Sequence, residues 1–64
     1  MDYNYEIHAA DGRLVEKTNM TSWPKSAAVG AAVNALKNGG GAYALIVSFD
    51  WRRGCRVVGR INAA

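Results

Sequence analysis

The chain has one cysteine, one proline, one histidine and no excess of acidic residues. Each shortage excludes something. Cys55 stands alone, so no disulfide can close within the chain. One Cys and one His fall short of the four ligands of a structural zinc site, and no cofactor is expected. The N-terminus reads Met1-Asp2-Tyr3-Asn4, without the basic segment and apolar core of a signal peptide. The longest apolar run, Ala42 to Val47, is far shorter than the ~20 residues needed to cross a membrane. With the unpaired thiol, these absences predict a reducing cytoplasm. The initiating Met and the abrupt ends predict a complete small protein.

Catalytic equipment is equally sparse. The five acids, Asp2, Glu6, Asp11, Glu16 and Asp50, are scattered, and no two form an evident pair for acid–base work. His8 lies on the polar phase of a predicted strand beside Glu6, where ordinary alternation explains it as a surface imidazole. Cys55 has arginine neighbours, which make a thiol more reactive. Its phase, however, points with Val57 towards the predicted core, where it acts as a small hydrophobe. Gly39-Gly40-Gly41 ends a predicted helix instead of preceding one, so it is no phosphate loop, which needs Gly, four residues, then Gly-Lys-Ser/Thr. An enzyme is not expected.

What is present is a foldable balance. Residues 1–64 are 50% hydrophobic and 20% charged, enough for one small domain of marginal stability. Tyr3 to Ala9 alternates apolar and polar, the period of a half-buried strand. Asp11-Gly12 is a hairpin turn, followed by a return strand from Arg13 to Thr18. A two-residue loop sets Glu6 opposite Lys17 and Ala9 opposite Leu14. A three-residue loop sets Ile7 opposite Val15 but Glu6 opposite Glu16. The like charges disfavour the second, although the register stays open. Pro24 suits a helix start, with Thr21, Ser22 or Ser26 as candidate caps. Trp23 is expected to pack that start against the sheet. The spacing predicts a helix over 25–38, with Ala28, Val29, Ala32, Val33 and Leu36 on one face and Ser26, Gly30, Asn34 and Lys37 opposite. One of the three glycines is expected to stop it in the left-handed conformation.

Ala42 to Trp51 reads as the strongest strand. Tyr43, Leu45, Val47, Phe49 and Trp51 share one face. A loop at Arg52-Arg53-Gly54 returns the chain, setting Trp51 opposite Cys55, Phe49 opposite Val57 and Leu45 opposite Ile61. On the reverse face Asp50 meets Arg56 and Ile46 meets Arg60. The predicted fold is α+β: ββαββ, a four-stranded antiparallel sheet with one helix packed on the face of Phe49, Val57 and Ile61.

Charge is unevenly placed. Half of the eight Lys and Arg are Arg52, Arg53, Arg56 and Arg60, and no acid follows Asp50. Arg56 and Arg60 are expected to share a strand face, with Arg52 and Arg53 at the hairpin tip and Trp51 adjoining them. Arginine forks grip carboxylates and phosphates, and Trp and Arg are frequent anchors of protein interfaces. Aromatic rings beside arginines also stack on bases. The same charges on an edge strand guard against aggregation.

Two hairpins, at Asp11-Gly12 and Arg52-Arg53-Gly54, around the helix from Ser26 to Lys37 give a small α+β chain that resembles the phage-encoded inhibitors called anti-CRISPR proteins. The resemblance rests on size and architecture and carries over no site residue. Many of those inhibitors are acidic and imitate DNA; this chain carries +3. The resemblance therefore implies docking on a protein, such as a bacterial defence complex, through Arg and aromatic residues, so that nucleic acid is kept out. The expected function is a non-enzymatic protein-binding inhibitor or adaptor using Arg52, Arg53, Arg56, Arg60 and Trp51. The alternative is a nucleic-acid-binding domain using the same arginines. A second copy of the chain is a further candidate partner, since one sheet face is bare and the core is small.

Overall fold

A computed structural model of the chain describes residues 2–18 and 23–63. The elements are β1 (Asp2–His8), β2 (Leu14–Lys17), α1 (Lys25–Lys37), β3 (Tyr43–Asp50) and β4 (Gly54–Asn62). The strands form one antiparallel sheet in the order β2-β1-β3-β4. The α+β class and the ββαββ order are as expected. β1 and β3 pair along the whole of β1, from Asp2 opposite Phe49 to His8 opposite Tyr43, which joins the two hairpins at the centre.

The helix forms where its apolar spacing begins. Pro24 is its N-cap in extended conformation, and no side chain caps the end, Ser26 included. Thr21 and Ser22 lie outside the described residues. Trp23 is half-buried, and its carbonyl accepts from the Tyr3 N–H at 3.3 Å, tying the helix start to β1. At the other end Gly39 is left-handed, at φ 79°. The Gly39 N–H donates to Leu36 O and the Gly40 N–H to Ala35 O, the double closure of a Schellman motif. Gly41 is needed for space: a Cβ there would sit 2.6 Å from Ile7 Cγ2 and 2.8 Å from His8 O.

The helix packs on the sheet face opposite to the expected one. Ile7, Ala28, Ala32, Ala44 and Ile46 are buried, and Ile61, Val29, Ala35 and Leu36 close around this core. In β3 it is therefore the Ala44–Ile46–Ser48 phase that meets the helix. Tyr43, Leu45, Val47 and Phe49 face the other way, and Trp51 leaves the sheet altogether. Size gives the reason. The small Ala32 packs with Ala44, which pairs with Ile7, whereas Tyr43 and Leu45 would hold the helix away. Ile7 and Ile46 are the largest fully buried side chains. Each contributes about 2–3 kcal/mol of burial, so the stability is modest.

Both hairpins depart from simple registers through a bulge. In the first, Glu6 does face Lys17, but His8, not Ala9, faces Leu14, because the register slips between Ile7 and His8 and leaves Val15 extra. Gly12 takes φ 91° and donates to Ala9 O at 2.9 Å. In the second, Phe49 faces Cys55, Val47 faces Val57, Leu45 faces Arg60 and Ala44 faces Ile61, with Val58 extra. The turn is Trp51-Arg52-Arg53, one residue earlier than expected, and Gly54 follows it at φ 79°. The Val58 bulge reverses the phase of β4. Cys55 and Val57 therefore face away from the helix and are exposed, while Ile61 faces it. Bulges of this kind also blunt the two sheet edges.

Candidate functional site

The β3–β4 turn is built by Asp50. Its carboxylate Oδ1 accepts the Arg52 N–H at 2.8 Å, and its carbonyl accepts the Arg53 N–H at 3.0 Å. Asp50 is thus a turn cap opposite Gly54, and not the expected cross-strand partner of Arg56. The tight turn projects Trp51, whose surface is 79% exposed. The Arg52 guanidinium lies 5.1 Å from the Trp51 ring centroid and covers one side of the indole.

The four arginines do not form one patch. Arg56 pairs with Ser48 and takes the helix side of the sheet, where it lines a pit of about 80 Å³ with Ser48, Asp50, Arg53 and Gly54. Arg60 lies on the other side of the sheet, because the Val58 bulge falls between the two. Its guanidinium carbon is 4.1 Å from the Tyr43 ring centroid, and its Nε–H donates to Asn62 Oδ1 at 2.9 Å. The structure brings Arg52 onto Trp51 and Arg53 beside Arg56 at one end of the hairpin, and sets Arg60 apart. Among the described residues no Lys or Arg side chain forms an ion pair.

Arg60 belongs to a column that sequence reasoning missed. The His8 and Tyr43 rings are stacked, 5.2 Å between centroids and 5° from parallel. His8 Nε2 lies 3.0 Å from Glu6 Oε1 and Nδ1 lies 3.0 Å from Gly12 O. Both neighbours are acceptors, and only the imidazolium has two N–H donors to give them. The Gly12 carbonyl and then the Glu6 carboxylate raise the His8 pKa above its ordinary 6.5, against the opposing effect of burial. His8 is therefore a clamp within the first hairpin, its side chain only 13% exposed, and not a surface imidazole. The signal was available in Glu6-Ile7-His8 followed by Asp11-Gly12, but only the bulged register brings Gly12 back to the ring. Ser48, a hydroxyl in the buried phase of the strongest strand, was also passed over.

Beside this column, Asn4 is buried at 6% exposure, and its Oδ1 accepts the Thr18 hydroxyl at 3.1 Å. Burial, then the Glu16 carboxylate 3.3 Å away, raises the Tyr5 pKa, so the phenol stays protonated and donates to it. Cys55 is exposed, which corrects the expectation of a buried thiol. Among the described residues no three His, Cys, Asp or Glu side chains gather as metal ligands. No helix among them is long and apolar enough to cross a membrane.

The sequence matches no family model, and neither the curated proteins nor the solved structures give a match.

Proposed function

We propose that the protein is a non-enzymatic binding module, an inhibitor or adaptor that docks on an acidic protein surface through the tip of its β3–β4 hairpin. The carrying observation is Trp51, 79% exposed on a turn fixed by two Asp50 hydrogen bonds, with Arg52 across its ring. A large aromatic on a backbone already fixed has less entropy to lose on binding, and Trp and Arg are enriched among the residues that dominate interface energetics. Arg52, Arg53 and Arg56 have no ion-pair partner among the described residues, so their charge is free for carboxylates on a partner.

The charge also qualifies the likeness to anti-CRISPR proteins. A basic tip is repelled by a basic nucleic-acid channel. An inhibitor of this kind would exclude nucleic acid from a defence complex by occupying an acidic surface next to the path.

Direct nucleic-acid binding is the less supported reading. Base stacking needs open ring faces. Tyr43 already carries His8 and Arg60 from the two flanking strands, and one face of Trp51 carries Arg52.

The test is affinity capture from a bacterial lysate, with nuclease added in one arm. Capture should survive nuclease and be lost in the W51A and R52E/R53E variants, whose circular dichroism should match the parent. Capture lost to nuclease, or kept by both variants, contradicts the reading. A salt titration with DNA and RNA completes it: phosphate contacts would make affinity fall steeply with salt.

A further inference from the structure

We propose that Ser48, Arg53 and Arg56 form a carboxylate pit that receives one Asp or Glu side chain of the partner. The inference rests on the protein-docking reading above and names the chemical group that enters the hairpin.

The first observation is Ser48. It is 8% exposed, and its hydroxyl has no hydrogen-bond partner among the described residues. Buried hydroxyls in folded proteins are nearly always paired. Ser48 lines the pit beside the turn, where an incoming acceptor would satisfy its hydroxyl.

The second observation is the placement of charge. Arg56 stands directly opposite Ser48 on the same sheet face, and Arg53 approaches from the turn. Neither guanidinium has a partner among the described residues. Gly54 lies between them, and a Cβ added there would meet nothing within 4 Å, so the gap is open. Asp50 is the only acid among the described residues that line the pit, and its Oδ1 is engaged by the Arg52 N–H. Two guanidinium groups against one carboxylate leave one positive charge. That matches a monoanion, a carboxylate or a phosphodiester, better than a doubly charged phosphate.

Shape separates the two monoanions. The pit holds about 80 Å³. A carboxylate is the end of a side chain and enters a pit tip first. A phosphodiester carries a sugar on both sides and lies along a groove. The fork of an arginine also fits a carboxylate with two parallel hydrogen bonds. The pit therefore favours an acidic side chain of a protein.

The experiment is a nitrogen-15 NMR titration of the full chain with acetate, dimethyl phosphate, a hexaglutamate peptide and a thymidine hexanucleotide, with chloride at equal ionic strength as reference. The Arg53 and Arg56 Nε–H signals and the Ser48 amide should shift saturably with acetate and hexaglutamate and not with chloride. S48A and R56Q should each weaken hexaglutamate binding about tenfold, the loss expected for one charge-assisted contact, while K37Q leaves it unchanged. Binding of hexaglutamate untouched by S48A and R56Q, or shifts that chloride reproduces, overturns the pit and leaves docking through Trp51 and Arg52 standing. Saturable oligonucleotide binding with no response to hexaglutamate overturns the pit and the protein-docking reading together.

Discussion

The first hairpin and the tip of the second use their polar side chains in opposite ways. In β1–β2, Glu6 and the Gly12 carbonyl hold His8, Asp11 caps the Arg13 N–H, Tyr5 donates to Glu16, and Thr18 is bound to Asn4 and Tyr5. In β3–β4, one acid, Asp50, fixes the turn. Arg52 rests on an exposed tryptophan, and Arg53 and Arg56 meet no acceptor among the described residues. Groups satisfied inside the fold stabilise it. Groups left free contribute little to stability and remain available for binding. The net +3 is that of the β3–β4 hairpin alone, which holds four arginines against Asp50, while the rest of the chain balances.

This contrast can be broken most severely at Gly41, which lets the chain between α1 and β3 pass against Ile7 and His8. G41A forces a methyl group to within 2.6 Å of Ile7 Cγ2. It should destabilise the fold by about 2–3 kcal/mol, which lowers the melting midpoint by ~10–20 °C in a domain of this size. A melting curve like that of the parent would mean that the first hairpin is loosely held and the contrast false.

The next largest effect concerns His8. Its folded pKa lies above the ordinary 6.5, raised first by the Gly12 carbonyl and then by Glu6. The resulting stability is fully present below 6.5 and is lost as pH rises through the folded value. H8Q should cost about 1–2 kcal/mol at roughly pH 5.5 and clearly less near pH 8.5. Urea unfolding of both chains at the two pH values measures this. An equal cost at both would remove the imidazolium clamp.

Gly30 should act with the opposite sign. It is exposed, in mid-helix, and a Cβ there meets nothing within 4 Å. G30A should raise stability by about 1 kcal/mol, read as a higher melting midpoint. The smallest effect sharpens the comparison from the other side. R53Q and R56Q should change stability by less than about 0.5 kcal/mol, as surface substitutions without partners do. A larger loss would show that these arginines serve the fold after all.

Element type and order were legible in the sequence because each rests on short-range signals. The alternation of Tyr3 to Ala9, the Ala-Val spacing of α1 and the Gly39 stop are all local. The helix side of the sheet was not legible. Alternation in β3 offers two apolar faces, Tyr43–Leu45–Val47–Phe49 and Ala44–Ile46, and bulk pointed to the wrong one. Only the packing of Ala32 with Ala44, Ile7 and Ile46 decides it, and that is a tertiary fact. The Val58 bulge was equally hidden. One extra residue placed Arg60 across the sheet from Arg56 and divided a site that reads as continuous along the chain. Trp51, Arg52 and Arg53 were placed at or beside the tip because turn residues are set locally.

The most direct test of the contrast is to reverse charge at each end by the same amount. R52E/R53E changes the second hairpin, and R13E/K25E makes the same change in net charge elsewhere. Circular dichroism and thermal melting should show both folded. In nuclease-treated capture, R52E/R53E should lose the partner and R13E/K25E should retain it. Equal loss in both would mean that overall charge alone drives binding, and equal retention would mean that the hairpin tip does not face the partner.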